Sequence, residues 1–147
     1  MKKLTLLGST GSIGLNSLEV VREFPEKFQI EALSCRSSIE KLILQIKEFQ
    51  PRIVCVDKNE QASELRHIFP NTEFVCGTKG LIQISTDPKV DLVVSGIVGA
   101  AGLRPTFSAV KEGKTVAIAN KEPLVMAGEL FMGAAAESGA KLLPADS

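Results

Sequence analysis

The stretch "LTLLGSTGSIG", residues 4–14, constrains the fold most: Gly8, Gly11 and Gly14 follow an apolar run at intervals of three. A strand that runs into closely spaced glycines and then into a helix pattern is the first turn of a βαβ unit. Glycine lacks Cβ, so it permits a tight turn and lets a phosphate approach the backbone. The helix start behind it offers unbonded N–H groups and a partial positive charge, and Ser9, Thr10 and Ser12 can add hydroxyl donors. Gly14 would let the helix pack close to the sheet. The spacing, G-x-x-G-x-x-G, is displaced by one residue from the usual G-x-G-x-x-G. Its place between a strand and a helix predicts dinucleotide binding; the plain alternative is a set of turn glycines.

The rest of the chain repeats the strand–helix alternation. Apolar, β-branched runs predict strands over 3–8, 28–34, 52–57, 72–77, 89–96, 114–120 and 140–146. Between them, Ile13, Val20, Val21 and Phe24 share a helical face that Pro25 closes. Ile39, Leu42, Ile43, Ile46 and Phe49 repeat at three and four before Pro51. Residues 60–69 predict a helix, "LIQIS" a weak one, and Leu103, Phe107 and Val110 one that ends at Gly113. Residues 122–138 predict a last helix, with Ala127, Gly128 and Gly133 as candidate close-packing positions. This order predicts an α/β fold: a Rossmann-like, doubly wound, mostly parallel sheet with helices on both faces. No linker divides residues 1–147, so a single domain is expected.

Composition narrows the function classes. Hydrophobic residues make up 44% of the 147 residues, which excludes a disordered chain. Lys plus Arg and Asp plus Glu both count 17, with no basic stripe, which argues against nucleic acid or an anionic membrane as partner. Without a long apolar run or a signal peptide, the expected location is cytoplasmic. Cys35, Cys55 and Cys76 are odd in number and form no C-x-x-C, so idle thiols are expected rather than a disulfide or zinc site. His67, the only histidine, lies in a helix-like stretch, which suits surface or packing and leaves His-based catalysis no material.

Further loops follow strands at the same edge. NAD-binding domains usually carry an acid after the second strand; here "SCRSS" has none. Arg36 with Ser37 and Ser38 suits a 2′-phosphate, which favours NADP over NAD, unless Arg36 is only a solvated loop charge. The glycines of "SGIVGAAGL" (95–103) permit close approach to a cofactor. In "ANKEPL" (119–124), Asn120, Lys121 and Glu122 put an amide, a cation and an acid where α/β folds bind ligands, and Lys121 there can meet an anion. Asp146 and Ser147 end the last strand; an Asp there suits Mg²⁺ or Mn²⁺, although one carboxylate is not a metal site.

"GSTGSIG" (8–14), "IVGAAGL" (97–103), "ANKE" (119–122) and "LLPADS" (142–147), in this order, resemble the 1-deoxy-D-xylulose 5-phosphate reductoisomerase family over all 147 residues. The first motif alone also resembles aspartate-semialdehyde dehydrogenases. The resemblance implies NADPH contacts at Thr10, Gly11, Ser12 and Ile13, with Asn120 and Glu122 near the cofactor. It places Lys121 and Ser147 on the substrate and Asp146 on a divalent metal, Mg²⁺ or Mn²⁺. It implies rearrangement and NADPH-dependent reduction of a sugar phosphate to 2-C-methyl-D-erythritol 4-phosphate, in non-mevalonate isoprenoid synthesis, by a homodimer. Two stretches depart from the family pattern. Arg36, Ser37 and Ser38 stand where a Gly-Lys-Asn-like stretch is usual, and Pro123 stands where Ser is usual. The family enzyme also continues past Asp-Ser, with a Glu metal ligand, a catalytic region and a C-terminal helical domain. The 147 residues therefore read as an NADPH-binding fragment with no catalytic residue of its own, expected to bind dinucleotide without turnover. The rival readings are a stand-alone dinucleotide-sensing module and another NADP-dependent reductase, such as a semialdehyde dehydrogenase.

Overall fold

The computed structural model describes residues 1–97, 99–118 and 128–144. Among the described residues seven strands are present: β1 (Lys2–Leu7), β2 (Phe28–Ser34), β3 (Ile53–Val56), β4 (Glu73–Cys76), β5 (Leu92–Ser95), β6 (Thr115–Ile118) and β7 (Lys141–Pro144). Six α-helices among the described residues connect them: α1 (Ser12–Glu23), α2 (Ile39–Phe49), α3 (Asn59–Ile68), α4 (Gly77–Thr86), α5 (Leu103–Lys111) and α6 (Gly128–Ser138). A 3₁₀ turn, Ala100–Gly102, leads into α5.

All six strand pairings are parallel, and the strands lie in the order β4-β3-β2-β1-β5-β6-β7. The expected mostly parallel sheet is thus parallel throughout. Successive side chains on a strand point to opposite faces, and the core divides accordingly. Leu4, Leu6, Val54 and Val56 pack on one face with Leu18, Leu42 and Leu65 of α1, α2 and α3. Leu7, Ile53, Val93 and Val116 pack on the other with Ile84 of α4, Val110 of α5 and partly buried Ala134 and Ala135 of α6. Both faces are covered, which is why the strands read as nearly continuous apolar runs. The direction of winding reverses between β1 and β5, which opens a crevice above their carboxyl ends.

Local boundaries agree with the expected ones to within a few residues, except where tertiary packing intervenes. The expected face of α1 is buried only in part, at Ile13 and Val21. Gly14, Leu18 and Val21 are buried, whereas Val20 is 46% and Phe24 39% exposed. Gly14 must face the β1–α1 loop, and this sets which residues at i+4 and i+7 turn inward. Gly133 is exposed with no atom within 4 Å of a Cβ built on it, so it is not a close-packing position. The "LIQIS" helix is a full α4, Gly77–Thr86, that starts directly after β4. The helix residues expected over 122–127, Ala127 among them, lie outside the described residues.

The pairing of β1 with β2 slips between Leu4 and Thr5, which pair with Ile30 and Ala32. Glu31 is the extra residue of this bulge, and it is buried. Arg52 answers its charge: Nε lies 3.0 Å from Glu31 Oε2, and an NH2 group lies 2.6 Å from Asp87 Oδ2. Burial by itself raises the Asp87 carboxyl. The Arg52 hydrogen bond, the Lys89 N–H and the charges of Arg52 and Lys114 outweigh it and hold Asp87 below its ordinary value.

All three cysteines are free thiols, with Cys35 and Cys55 buried and Cys76 half-buried. Burial, followed by the nearby Cys76 and Asp57, pushes the Cys55 thiol up to about 12. Reactivity requires thiolate and access. Ellman's reagent is therefore expected to modify Cys76 in the native protein, and Cys35 and Cys55 only on unfolding. Fast modification of all three would contradict this packing.

Candidate functional site

The crevice between β1 and β5 is built from glycines that pack against one another. Gly8 has φ +76°, and a Cβ there would lie 3.2 Å from the Gly96 carbonyl carbon of the β5 loop. A Cβ on Gly96 would lie 3.0 Å from the Leu7 oxygen, which the Gly96 N–H contacts at 2.9 Å. A Cβ on Gly14 would lie 2.3 Å from the Gly8 oxygen and 2.6 Å from the Ser9 carbonyl carbon. Gly14 thus lets α1 pack against the loop itself rather than against the strands. Gly11 differs. A Cβ there would meet only the Gly8 oxygen, at 3.7 Å, and the residue is exposed. Three glycines close the loop on itself, and Gly11 leaves its outer face open.

The loop is anchored from below by β2 and α2. The Gly8 N–H donates to Ser34 Oγ (2.9 Å) and the Ser9 N–H to the Ser34 oxygen (2.8 Å). The Ser9 hydroxyl donates to Gln45 Oε1 (2.6 Å), and Gln45 Nε2 donates to the Ser9 oxygen (2.9 Å). Thr10 Oγ1 lies 3.5 Å from Cys35 Sγ. Ser9, expected to offer a hydroxyl to a ligand, is fully buried with that hydroxyl held by Gln45. Thr10 remains half-buried and Ser12 exposed, so both hydroxyls stay near the outer face.

The start of α1 is suited to an anion. Its N-cap is Gly11, no side chain caps it, and its first turn holds no acid. The first backbone bond across the boundary runs from Leu15 N–H to the Gly11 oxygen (2.9 Å). The N–H groups of Ser12 and Ile13 thus lack an intrahelical acceptor, and the helix dipole adds positive potential there. Such a terminus takes a phosphate or pyrophosphate.

Arg36 and Ser37 lie in the exposed turn after β2, beside this loop. The Arg36 oxygen accepts from Gln61 Nε2 at 3.2 Å, while Gln61 Oε1 caps the Lys58 N–H at 2.9 Å. α3 therefore holds the turn, and the guanidinium makes no ion pair or hydrogen bond among the described residues. Gly99 has φ +76° with open space around it, whereas a Cβ on Gly102 would lie 2.8 Å from the Ile97 oxygen. Ser95 Oγ and Thr106 Oγ1, 2.9 Å apart and buried, pin α5 to the end of β5.

Asn120, Lys121, Glu122, Asp146 and Ser147 lie outside the described residues. Among the described residues, no three His, Cys, Asp or Glu side chains come together to hold a metal. His67 is exposed on α3. No described helix is long and apolar enough to cross a membrane. Sequence reading missed Gln45 and the role of Ser34. A signal for Gln45 existed: it is a polar residue within the buried stripe Leu42, Gln45, Ile46 of α2.

The model of the 1-deoxy-D-xylulose 5-phosphate reductoisomerase family matches residues 4–128. The reductoisomerase of Thermodesulfovibrio yellowstonii is 51% identical over all 147 residues, which span 39% of that relative. A reductoisomerase structure in complex with NADPH, fosmidomycin and magnesium superposes with TM-score 0.93 at 40% identity, over 98% of this chain and 36% of that one. The Zymomonas mobilis enzyme in complex with NADPH superposes with TM-score 0.92 at 32% identity, over 99% of this chain and 39% of that one.

Proposed function

The chain belongs to the 1-deoxy-D-xylulose 5-phosphate reductoisomerase family, and from that premise we propose that it is the NADPH-binding part of such an enzyme. One observation carries this reading: an uncapped, acid-free helix start behind an exposed Gly11, at the switch point of a parallel sheet. Thr10, Gly11, Ser12 and Ile13 hold the pyrophosphate with backbone N–H groups and the Thr10 and Ser12 hydroxyls. Arg36 and Ser37 meet the 2′-phosphate, because a guanidinium fork matches phosphate and no acid in the turn opposes it.

The residues outside the described set complete the reading by their match to the family motifs. Asn120 and Glu122 border the cofactor, Lys121 and Ser147 bind the sugar phosphate, and Asp146 is one carboxylate of a Mg²⁺ or Mn²⁺ site. Among the described residues no three His, Cys, Asp or Glu side chains gather to hold a metal, and no step is assigned to it. NADPH, when bound, supplies the hydride for reduction to 2-C-methyl-D-erythritol 4-phosphate in isoprenoid synthesis. This chain's contribution is orientation: a rigid loop fixes the pyrophosphate relative to the sheet edge where Lys121 matches a substrate position. The 147 residues by themselves are expected to bind NADPH and to show no turnover, since a single carboxylate cannot fill the metal site. The complete enzyme is proposed to be a cytoplasmic homodimer.

Calorimetry with NADPH and NADH tests the reading. NADPH should bind more tightly, and Arg36→Ala should weaken it by about tenfold to a hundredfold while leaving NADH unchanged, the range of one charge-assisted contact. Equal affinities for the two cofactors in the unaltered chain would refute the role of Arg36. Binding of neither would refute the site.

A further inference from the structure

We infer that Gln45 is a positioning residue for the dinucleotide loop: it orients the Ser9–Thr10 peptide so that the Thr10 N–H faces the bound phosphate. The inference rests on the reading of the loop as a pyrophosphate site.

Gln45 sits one turn into the buried stripe of α2, and its side chain reaches a residue 36 positions earlier in the chain. A polar group on an apolar stripe costs free energy unless it is satisfied. Here Oε1 accepts the Ser9 hydroxyl at 2.6 Å and Nε2 donates to the Ser9 oxygen at 2.9 Å. With the Ser9 N–H bonded to the Ser34 oxygen, every polar group of this buried residue is held. The peptide unit is planar and trans, so C=O and the following N–H point in opposite directions. Drawing the Ser9 oxygen toward Gln45 therefore turns the Thr10 N–H away from the α2 packing face. The same amide group holds the Ser9 hydroxyl, so Gln45 is itself fixed against rotation, and flipping the peptide breaks its bond from Nε2. None of the bonds of this clamp involves the ligand; its effect on binding passes through the Thr10 peptide.

Gln45→Met keeps volume and removes both bonds. Gln45→Glu keeps shape, but its carboxylate repels the Ser9 oxygen, whereas its protonated form can accept from Ser9 Oγ and donate to the Ser9 oxygen. NADPH and 2′-AMP, which lacks the pyrophosphate, are titrated by calorimetry, and Ser9 amide exchange is followed by NMR. Gln45→Met should weaken NADPH about tenfold, the equivalent of one or two hydrogen bonds, leave 2′-AMP unchanged and speed exchange of the Ser9 amide, which is bonded to the Ser34 oxygen. Gln45→Glu should bind NADPH weakly at pH 8 and regain affinity relative to the unaltered chain at pH 6. A global packing defect would weaken both ligands together and would overturn the inference. So would unchanged NADPH affinity in both variants. If the unaltered chain bound neither ligand, the pyrophosphate reading would fail. Ser9 exchange would then still decide the clamp, with equal rates in Gln45→Met and the unaltered chain refuting it.

Discussion

Gly14→Ala is expected to destabilise the protein by about 3 kcal/mol, at the upper end of overpacking effects, and to abolish measurable NADPH binding. The added Cβ would lie 2.3 Å from the Gly8 oxygen and 2.6 Å from the Ser9 carbonyl carbon. Both are backbone atoms that cannot rotate away, so α1 must move off the loop. That motion would pull Ser9 from Ser34 and Gln45, which hold it through three hydrogen bonds. Gly11→Ala is the contrasting variant. Its Cβ meets one atom at an ordinary 3.7 Å, so its stability should change by less than about 1 kcal/mol, the scale of an N-cap exchange. Its NADPH affinity should still fall, because the methyl group occupies the open side of the loop. Denaturant unfolding and calorimetry on the two variants separate the effects. Equal loss of stability in both would contradict the division of roles among the glycines.

Arg52→Ala is expected to cost about 2–3 kcal/mol at pH 7, less than the loss from a fully buried pair because Arg52 is 36% exposed. Its removal leaves Glu31 inside the β2 bulge and Asp87 at the end of α4 without their shared cation. The pH dependence has a definite sign. The folded-state carboxyl of Asp87 is held below the ordinary 3.8. It therefore contributes stability above that value and loses the contribution as pH falls through the lower, folded value. Urea midpoints of the unaltered chain and the variant should be far apart at pH 7 and draw together below pH 3.8. A gap that stayed constant with pH would show that Arg52 acts through packing of its stem alone.

The strand and helix pattern was legible because it is local. The unbroken apolar run in "RIVCVD" and the three-and-four spacing from Ile39 to Phe49 depend on near neighbours in the chain, and both segments form as expected. The glycine loop was legible for the same reason: a strand, glycines and a helix start are contiguous in residues 4–14. The face of α1 was legible only in part. Ile13 and Val21 pack against the core as their pattern suggests, but Val20 and Phe24 do not, because the close approach at Gly14 brings Leu18 inward in their place. Ser9 was misassigned as a ligand donor because its hydroxyl partner lies on another helix.

Local pattern specified the parallel α/β class, the place of the glycine loop between β1 and α1, the absence of an acid after β2 and membership of a reductoisomerase family. Folding in three dimensions set that Gly8, Gly14 and Gly96 pack on backbone while Gly11 stays open, that Gln45 holds Ser9, and that Arg52 joins Glu31 to Asp87. The difference lies in separation along the chain. Periodicity specifies which side of an element is apolar, but contacts across 36 or 35 positions depend on strand order and register, which no local pattern encodes.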